Sequence, residues 1–353
     1  AYDDWCIARM ADEMGREETA GEFFRRSQGW RHLLDPETGF MRPRRNQRWL
    51  DPFDPRRVDN NYTEANAWQY SFFVPHDGEG LIEAHGGERE FIERLDALFE
   101  AESETTGRDQ ADITGLIGQY AHGNEPSHHM AWLYHHAGRP DLSARWVKRI
   151  LKELYSPEPD GLSGNEDCGQ MSSWYVLAAI GLYPVTPCSD QYLLGVPLFD
   201  KTTLHLENGR RFTIETRGAG QYIESVSLNG EALTRSFLRH SEIMGGGLLA
   251  ISLSDRPGEQ WGRAREDRPL SRAGGARLPA APFLRCESDI FRDSVRAELD
   301  SFDDDAEIFY TIDPQAALED WQPYEEPIEI GESSLLRFAA KLGDSWSPVV
   351  ESY

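Results

Sequence analysis

The stretch Gln170-Met-Ser-Ser-Trp-Tyr-Val-Leu-Ala-Ala-Ile180, followed by Gly181-Leu-Tyr-Pro184 and then Tyr192-Leu-Leu194, carries the change of pattern that decides the fold. Up to about residue 183, apolar residues recur at helical spacing; beyond it they alternate as strands do. Working backward, residues 2–10 carry apolar positions at helical spacing. Residues 17–34 do so again, with Phe23, Phe24, Trp30, Leu33 and Leu34 on one stripe. Asp35-Pro-Glu-Thr-Gly39 ends that run with turn chemistry. Further helices are expected near 65–73, 88–100, 111–120, 127–137, 141–154 and 169–181, with Gly-, Pro- and Asp-rich loops between them. Working forward, short alternating runs follow at 192–194, 203–206, 211–215, 222–226 and 248–253. Asn208-Gly209 and Asn229-Gly230 read as hairpin signals among them. Residues 262–282 are rich in Arg, Gly, Pro and Ala and read as a linker. Alternation then resumes at 308–312, 328–330 and 335–338. The expected organisation is multidomain α and β: helices over 1–190, a small β region over 191–262 packed behind them, a linker over 263–282, and an all-β module over 283–353.

Composition narrows the function classes. A chain of 353 residues has room for two or three domains, and 39% hydrophobic with 11% aromatic residues supports a sizeable core. No run of about 18 or more apolar residues appears, so no membrane insertion is expected. The first residues read as the middle of a helix and not as a signal peptide, so the chain is expected to be a fragment. The formal net charge of −25 argues against nucleic acid and anionic membranes as partners. Lysine occurs only at Lys148, Lys152, Lys201 and Lys341, which leaves 32 of the 36 basic residues as arginine. An acidic, lysine-poor surface suits a salty habitat; high genomic GC content gives the same arginine bias. Cys6, Cys168, Cys188 and Cys286 show no metal-type spacing, and free buried thiols or a Cys168–Cys188 bridge both fit.

Three loop-to-helix junctions hold more carboxylates, amides and aromatics than a turn requires. In Asn60-Asn-Tyr-Thr-Glu-Ala-Asn-Ala-Trp-Gln-Tyr70, Glu64 lies among Tyr62, Trp68 and Tyr70. Such surroundings desolvate a carboxyl group and favour a general acid, although a first-turn Glu also serves as a helix cap. In His122-Gly-Asn-Glu-Pro-Ser-His-His129, Gly123 and Pro126 enforce a tight turn. Asn124 and Glu125 suit a hard, oxygen-seeking cation such as calcium. Zinc needs better-spaced ligands than adjacent histidines; a Ser127 cap with two interfacial histidines is the plain alternative. In Asp160-Gly-Leu-Ser-Gly-Asn-Glu-Asp-Cys-Gly-Gln-Met-Ser-Ser-Trp174, Asn165, Glu166 and Asp167 crowd a helix N-terminus. The dipole there keeps Asp167 ionised as a base or a metal ligand, or simply welcomes an acidic cap. Trp68, Tyr70, Trp132 and Trp174 suit sugar-ring faces, or the core. Two carboxylates from distant loops flanking a water form an inverting glycosidase arrangement; the same scaffold could bind sugar without cleaving it.

Taken in order, these motifs resemble glycoside hydrolase family 92. The carriers are Asp35-Pro-Glu-Thr-Gly-Phe-Met41, Thr63-Glu-Ala-Asn-Ala-Trp-Gln-Tyr70 with Pro75-His-Asp77, Gly123-Asn-Glu-Pro-Ser-His128, and the segment from Asp160 to Ser172. Gly181-Leu-Tyr-Pro184 and Gly195-Val-Pro-Leu-Phe199 extend the likeness over roughly residues 1–262. The resemblance implies an N-terminal β-sandwich followed by an (α/α)6 toroid, of which this chain carries the later part. It implies a secreted or periplasmic, calcium-dependent, inverting exo-α-mannosidase acting on mannose-containing glycans. The absent N-terminal domain of the same parent enzyme would complete the pocket. Glu64 would be the general acid and Asp167 the general base, with Glu125 and Asp167 toward calcium. Asn66, Trp68, His76, Asp77, Asn124, His128, Asn165, Gln170 and Trp174 would line the substrate site. Some family members carry Asp where this chain has Asn165, so the base role falls on Asp167 alone; Glu64 favours ordinary mannosides over mannosyl phosphates. Phe291-Arg-Asp-Ser294, Ile308-Phe-Tyr-Thr-Ile-Asp313 and Pro327-Ile-Glu-Ile330 resemble the small β-sandwich of chitobiase-type glycosidases. The other readings are an inactive carbohydrate-binding or scaffolding fragment, and a different (α/α)6 enzyme acting on glucans. The Gly-Asn-Glu-Pro-Ser and Glu-Asp-Cys-Gly-Gln signatures argue against the glucan enzyme.

Overall fold

The computed structural model describes residues 1–353, a mixed α and β chain with several separate sheets. It divides into two compact units that do not follow linear order: Ala1–Pro55 with Ala273–Tyr353, and Arg56–Arg272. No helix is long and apolar enough to cross a membrane.

The smaller unit opens with α1 (Tyr2–Glu13) and α2 (Glu17–Ser27), packed together and continued by a 3-10 turn, Gln28–Leu33. Its β part has one sheet of Phe283–Arg285, Val295–Asp300 and Ile328–Ile330, and a second centred on Leu336–Leu342. Leu284, Ala297 and Leu299 from the first sheet share an apolar core with Leu336 and Phe338 from the second. The early and late segments are tied by polar contacts. Gln28 donates to the carbonyls of Gly274 and Ala276, and Arg44 to those of Ala281 and Pro282.

The larger unit begins with α3 (Ala67–Ser71), α4 (Gly78–Ala84) and α5 (Glu88–Glu100), then α6 (Pro140–Glu153) and α7 (Gln170–Ile180). Residues 111–120, expected as a helix, form instead a tight antiparallel pairing of Leu116–Ile117 with Tyr120–Ala121. Ile113, Leu116, Ile117 and Tyr120 do have helical spacing, but Gly115 and Gly118 sit at φ 59° and 60°. A side chain at Gly118 would also collide with the Leu98 and Phe99 backbone, so the chain turns there. Residues 127–137 wind as 3-10 turns, Glu125–Ser127 and Met130–His135. After α7 comes a five-stranded sheet of Lys201–His205, Arg211–Arg217, Tyr222–Leu228, Glu231–Ala232 and Gly247–Ser254. Both expected hairpins form, across Asn208-Gly209 and Asn229-Gly230. Gly247–Ser254 then runs parallel to Arg211–Arg217 in the middle of the sheet. Residues 263–282 hold one 3-10 turn but are not loose. Ser271 accepts from the Gly78 and Glu79 amides in the larger unit, and Ala280 and Ala281 are buried in the smaller. All four cysteines are free; Cys168 and Cys188 are exposed and the other two half-buried, so neither the bridge nor full burial holds.

Candidate active site

Local chemistry sets the three loops before any of them meet. Asn66 caps α3: its Oδ1 accepts from the Trp68 amide at 3.0 Å, and Gln69 Oε1 returns a bond to the Asn66 amide. Asn66 Nδ2 donates to Gln119 Oε1 and the Arg56 carbonyl. The whole amide is occupied and the residue is fully buried, so it holds the helix and has no atom left for a sugar. Asp77 likewise caps α4 through the Gly80 amide. Ala65, just before the first cap, sits at φ 58°, which turns the chain sharply next to Glu64.

The second and third loops are locked to each other at Gly123. Its amide donates to the Thr114 carbonyl at 3.0 Å, and the Thr114 hydroxyl donates to the Ser163 carbonyl. A Cβ on Gly123 would meet Thr114 Oγ1 and lie 2.6 Å from the Ser163 oxygen. Only glycine permits this approach, and it is what sets the Asn124–Glu125 turn beside the Asp167 loop.

Asp167, Cys168 and Gly169 are three consecutive left-handed residues, at φ 47°, 57° and 91°. Each non-glycine residue held so costs on the order of 1–3 kcal/mol, and survives only where the surroundings enforce it. The enforcement comes from the start of α7. The Glu166 carboxylate accepts from the Ser172 amide at 3.1 Å and its hydroxyl at 2.8 Å. The Gln170 amide donates back to the Asp167 carbonyl. Glu166 thereby satisfies helix-start donors, and Asp167 is left exposed with its carboxylate beside Glu125.

Side chains then link the loops. Asn124 Nδ2 donates to Glu64 Oε2 at 2.9 Å. The Glu125 carboxyl is held above the usual carboxylate range, foremost by burial and then by the hydrogen bond and charge of Asp167 and the charge of Glu64. Three carboxylates thus share one neighbourhood, an arrangement that a cation or a retained proton relieves. The buried side-chain oxygens that lack any hydrogen-bond partner in the chain are Asn124 Oδ1, Glu125 Oε1 and Ser127 Oγ, all in this one turn. Asn124, Glu125 and Asp167 form an all-oxygen donor set that fits a hard cation. No three His, Cys, Asp or Glu side chains come together closely enough to hold a metal ion by themselves.

Behind these groups lies a layer of neutral imidazoles. His128 Nε2 faces the His122 carbonyl at 2.8 Å, and Gln170 Nε2 faces His128 Nδ1 at 3.2 Å. Burial lowers the pKa of His128 to about 4 and of His122 to about 2. Trp174, expected at the sugar, is fully buried; its indole N–H donates to the His128 carbonyl and its ring stacks on Tyr155. It is the wall behind the site. Asn165 is exposed and faces Asp112 Oδ1 at 3.4 Å. His76 is buried, and the half-buried Trp68 ring carries the Arg94 guanidinium at 5.3 Å. Of the expected residues, the structure links Glu64, Asn124, Glu125 and Asp167, backed by His128 and Gln170. Sequence reasoning missed His122, Tyr155 and the stapling role of Glu166. The one available signal was His122 heading the Gly-Asn-Glu-Pro turn.

Similarity to known proteins extends over these loops. The model of the glycosyl hydrolase family 92 catalytic domain matches residues 1–255. A protein of Arthroderma benhamiae named an uncharacterized secreted glycosidase is 29% identical over 313 residues, covering 80% of this chain and 38% of its own. Two solved structures from Bacteroides thetaiotaomicron, a family GH92 α-mannosidase and a family GH92 inverting mannosidase, are each 36% identical to it. Their TM-scores are 0.70 and 0.69; the matches cover 76% and 77% of this chain, and 36% and 39% of theirs. The chain therefore spans less than two-fifths of the length of these relatives.

Proposed function

The chain belongs to glycosyl hydrolase family 92, and on that premise we propose that it carries the catalytic loops of an inverting enzyme that removes terminal, non-reducing α-linked mannose from glycans. The observation that carries this reading is the single turn where Asn124 and Glu125 keep buried oxygens without donors, set between Glu64 and Asp167. Glu64 is the general acid. Asn124 occupies its Oε2, which leaves Oε1 to deliver the proton to the departing glycosidic oxygen. Asp167 is the general base, exposed at the end of its strained loop and able to take a proton from the attacking water. Asn124, Glu125 and Asp167 would hold calcium through their side-chain oxygens. When bound, the ion supplies a Lewis acid that orients neighbouring sugar hydroxyl oxygens. Asn165, His128 and Gln170 border the sugar or support its contacts.

The helices over residues 1–190 are read as part of an (α/α)6 toroid, and residues 283–353 as an accessory chitobiase-type β-sandwich. An N-terminal domain of the same parent enzyme closes the pocket. The name of the fungal relative, a secreted glycosidase, supports a secreted protein.

The test is mannose release from α-mannobiosides by the full-length protein, with and without a chelator. Release that ignores calcium removal defeats the metal assignment. Full activity of Glu64→Gln on an unactivated mannoside defeats the acid assignment. Glycan binding with no release at all favours the carbohydrate-binding alternative.

A further inference from the structure

His122 is fully buried, and both of its ring nitrogens are bonded to phenols: Nδ1 with the Tyr120 hydroxyl at 2.7 Å and Nε2 with the Tyr155 hydroxyl at 2.6 Å. The Tyr155 hydroxyl also donates to the Met171 carbonyl at 3.0 Å. Proton counting then settles the network. Tyr155 has one O–H, and it is committed to Met171, so Tyr155 must accept from His122 Nε2–H. Burial keeps the ring neutral, so His122 Nδ1 is an acceptor and Tyr120 donates to it. The imidazole is neutral, in one tautomer, with no capacity left over.

This network spans the two loops that hold the proposed chemistry. His122 directly precedes the Gly123-Asn124-Glu125 turn. Met171 lies in the first turn of α7, two residues after the left-handed run Asp167–Gly169, and its amide donates to the Glu166 carbonyl at 3.3 Å. A second strand of contacts runs beside the first. His128 bonds the His122 carbonyl, Gln170 and Trp174, and the His122 ring packs edge-on against Trp174 at 4.6 Å. Asp167 itself is exposed; what fixes its place relative to Glu125 is the backbone that this network grips from behind.

We infer that His122 and Tyr155 are positioning residues that set the spacing between the Glu125 turn and the Asp167 loop for the reaction. The inference rests on the proposed function and adds to it two side chains that touch neither sugar nor ion. A misplacement of about 1 Å costs roughly 100-fold in rate, and groups that orient ligands from behind typically change affinity or activity by roughly 10- to 100-fold when removed.

The variant to make is Tyr155→Phe in the full-length protein, since it deletes the hydroxyl and keeps the ring on Trp174. Tyr175→Phe serves as the control: its ring lies against Tyr155 at 4.8 Å. The expected result for Tyr155→Phe is a kcat lower by roughly 10- to 100-fold with KM within about twofold. Water activation is needed whatever the leaving group, so the loss persists on an activated aryl mannoside. Hydrogen exchange speeds up at residues 165–172 and nowhere else in the larger unit, and Tyr175→Phe changes none of these. Unchanged kcat, or a general loss of exchange protection with lowered melting temperature, overturns the inference in favour of plain packing. If the wild-type protein releases no mannose, the proposed function falls, and exchange alone decides the positioning claim. Local loosening at 165–172 supports it, and unaltered exchange overturns it.

Discussion

In the smaller unit, buried Asp303 is surrounded by donors: Arg277 pairs with one oxygen at 2.6 Å and the Ala280 amide with the other at 2.6 Å. Buried Asp35 is treated alike, by Arg42, the Thr38 hydroxyl and the Glu37 amide. In the larger unit, Asn124 Oδ1, Glu125 Oε1 and Ser127 Oγ have no donor at all. Leaving a buried polar atom unpaired costs roughly 1–3 kcal/mol, and the larger unit does so with oxygens in one turn only. The smaller unit gives its buried carboxylates a full set of donors, Asp35 from its own turn and Asp303 from residues 277–280. The larger unit keeps oxygen valence unspent where two loops meet, which is what a site for a ligand requires.

The sharpest way to break this contrast is to remove a carboxylate from each unit. Glu64→Gln should lower kcat/KM on an unactivated mannoside by roughly 100- to 10,000-fold. Glu37→Gln, which loses only an exposed 3.4 Å pair with Arg285, should leave the rate unchanged. Steady-state assay of both variants checks this, and equal effects would erase the difference between the units.

Acid comes next. His85, His135 and His136 in the larger unit are each lowered to about 4, foremost by burial. His85 faces Arg94, His135 faces Asp141, and His136 faces His135 and His129. Their unfolded pKa is the higher one, so the unfolded chain takes up protons first. The stability they allow is full above about pH 6.5 and falls as pH drops toward about 4, by about 1.4 kcal/mol per pH unit for each proton taken up. The smaller unit has a single comparable group, His32. Peptide-resolved hydrogen exchange between pH 7 and 5 should therefore show protection falling more steeply in residues 56–272. Parallel losses in both units would refute this.

Chelation should produce a smaller, more local effect. If calcium binds at Glu125 and Asp167, saturation at about 100 times Kd adds about 2.7 kcal/mol. Removing it should lower exchange protection around residues 122–128 and 163–170 and leave 283–353 untouched. The smallest effect separates two glycines. Gly123→Ala forces a clash at the junction of the loops and should cost about 1–3 kcal/mol, with activity falling too. Gly343→Ala, at φ 58° with open space around it, should cost about 1 kcal/mol through backbone strain alone. Thermal melts rank the two.

Much of this was legible in the sequence, for identifiable reasons. Residues 88–100 were readable as a helix to the residue, because Phe91, Leu95, Leu98 and Phe99 make a stripe that is buried in the structure. The Asn-Gly hairpins were equally plain. The span 111–120 misled, because a helical stripe of apolar residues was overruled by two left-handed glycines. Parallel pairing of Arg211–Arg217 with Gly247–Ser254 left no local trace. At the site, Glu64, Glu125 and Asp167 stood out as carboxylates in costly loops. Asn66 and Trp174 stood out just as clearly, yet their polar atoms are engaged by capping or by a carbonyl, and Asp77 caps α4 through one oxygen. Sequence shows which residues are unusual, and only the hydrogen-bond account shows which have atoms to spare. His122 was hidden for the opposite reason: every atom it has is in use.

The smaller unit joins Ala1–Pro55 to Ala273–Tyr353, and this sets a timetable for synthesis. Residues 56–272 leave the ribosome as one continuous stretch and can close on themselves. Helices α1 and α2 are made before it, and the rest of their unit, Ala273–Tyr353, after it. At about 5–20 residues per second that interval lasts roughly 10–45 s. During it, Ala1–Pro55 lacks the other half of its unit, so the smaller unit is completed only after the larger one has been made.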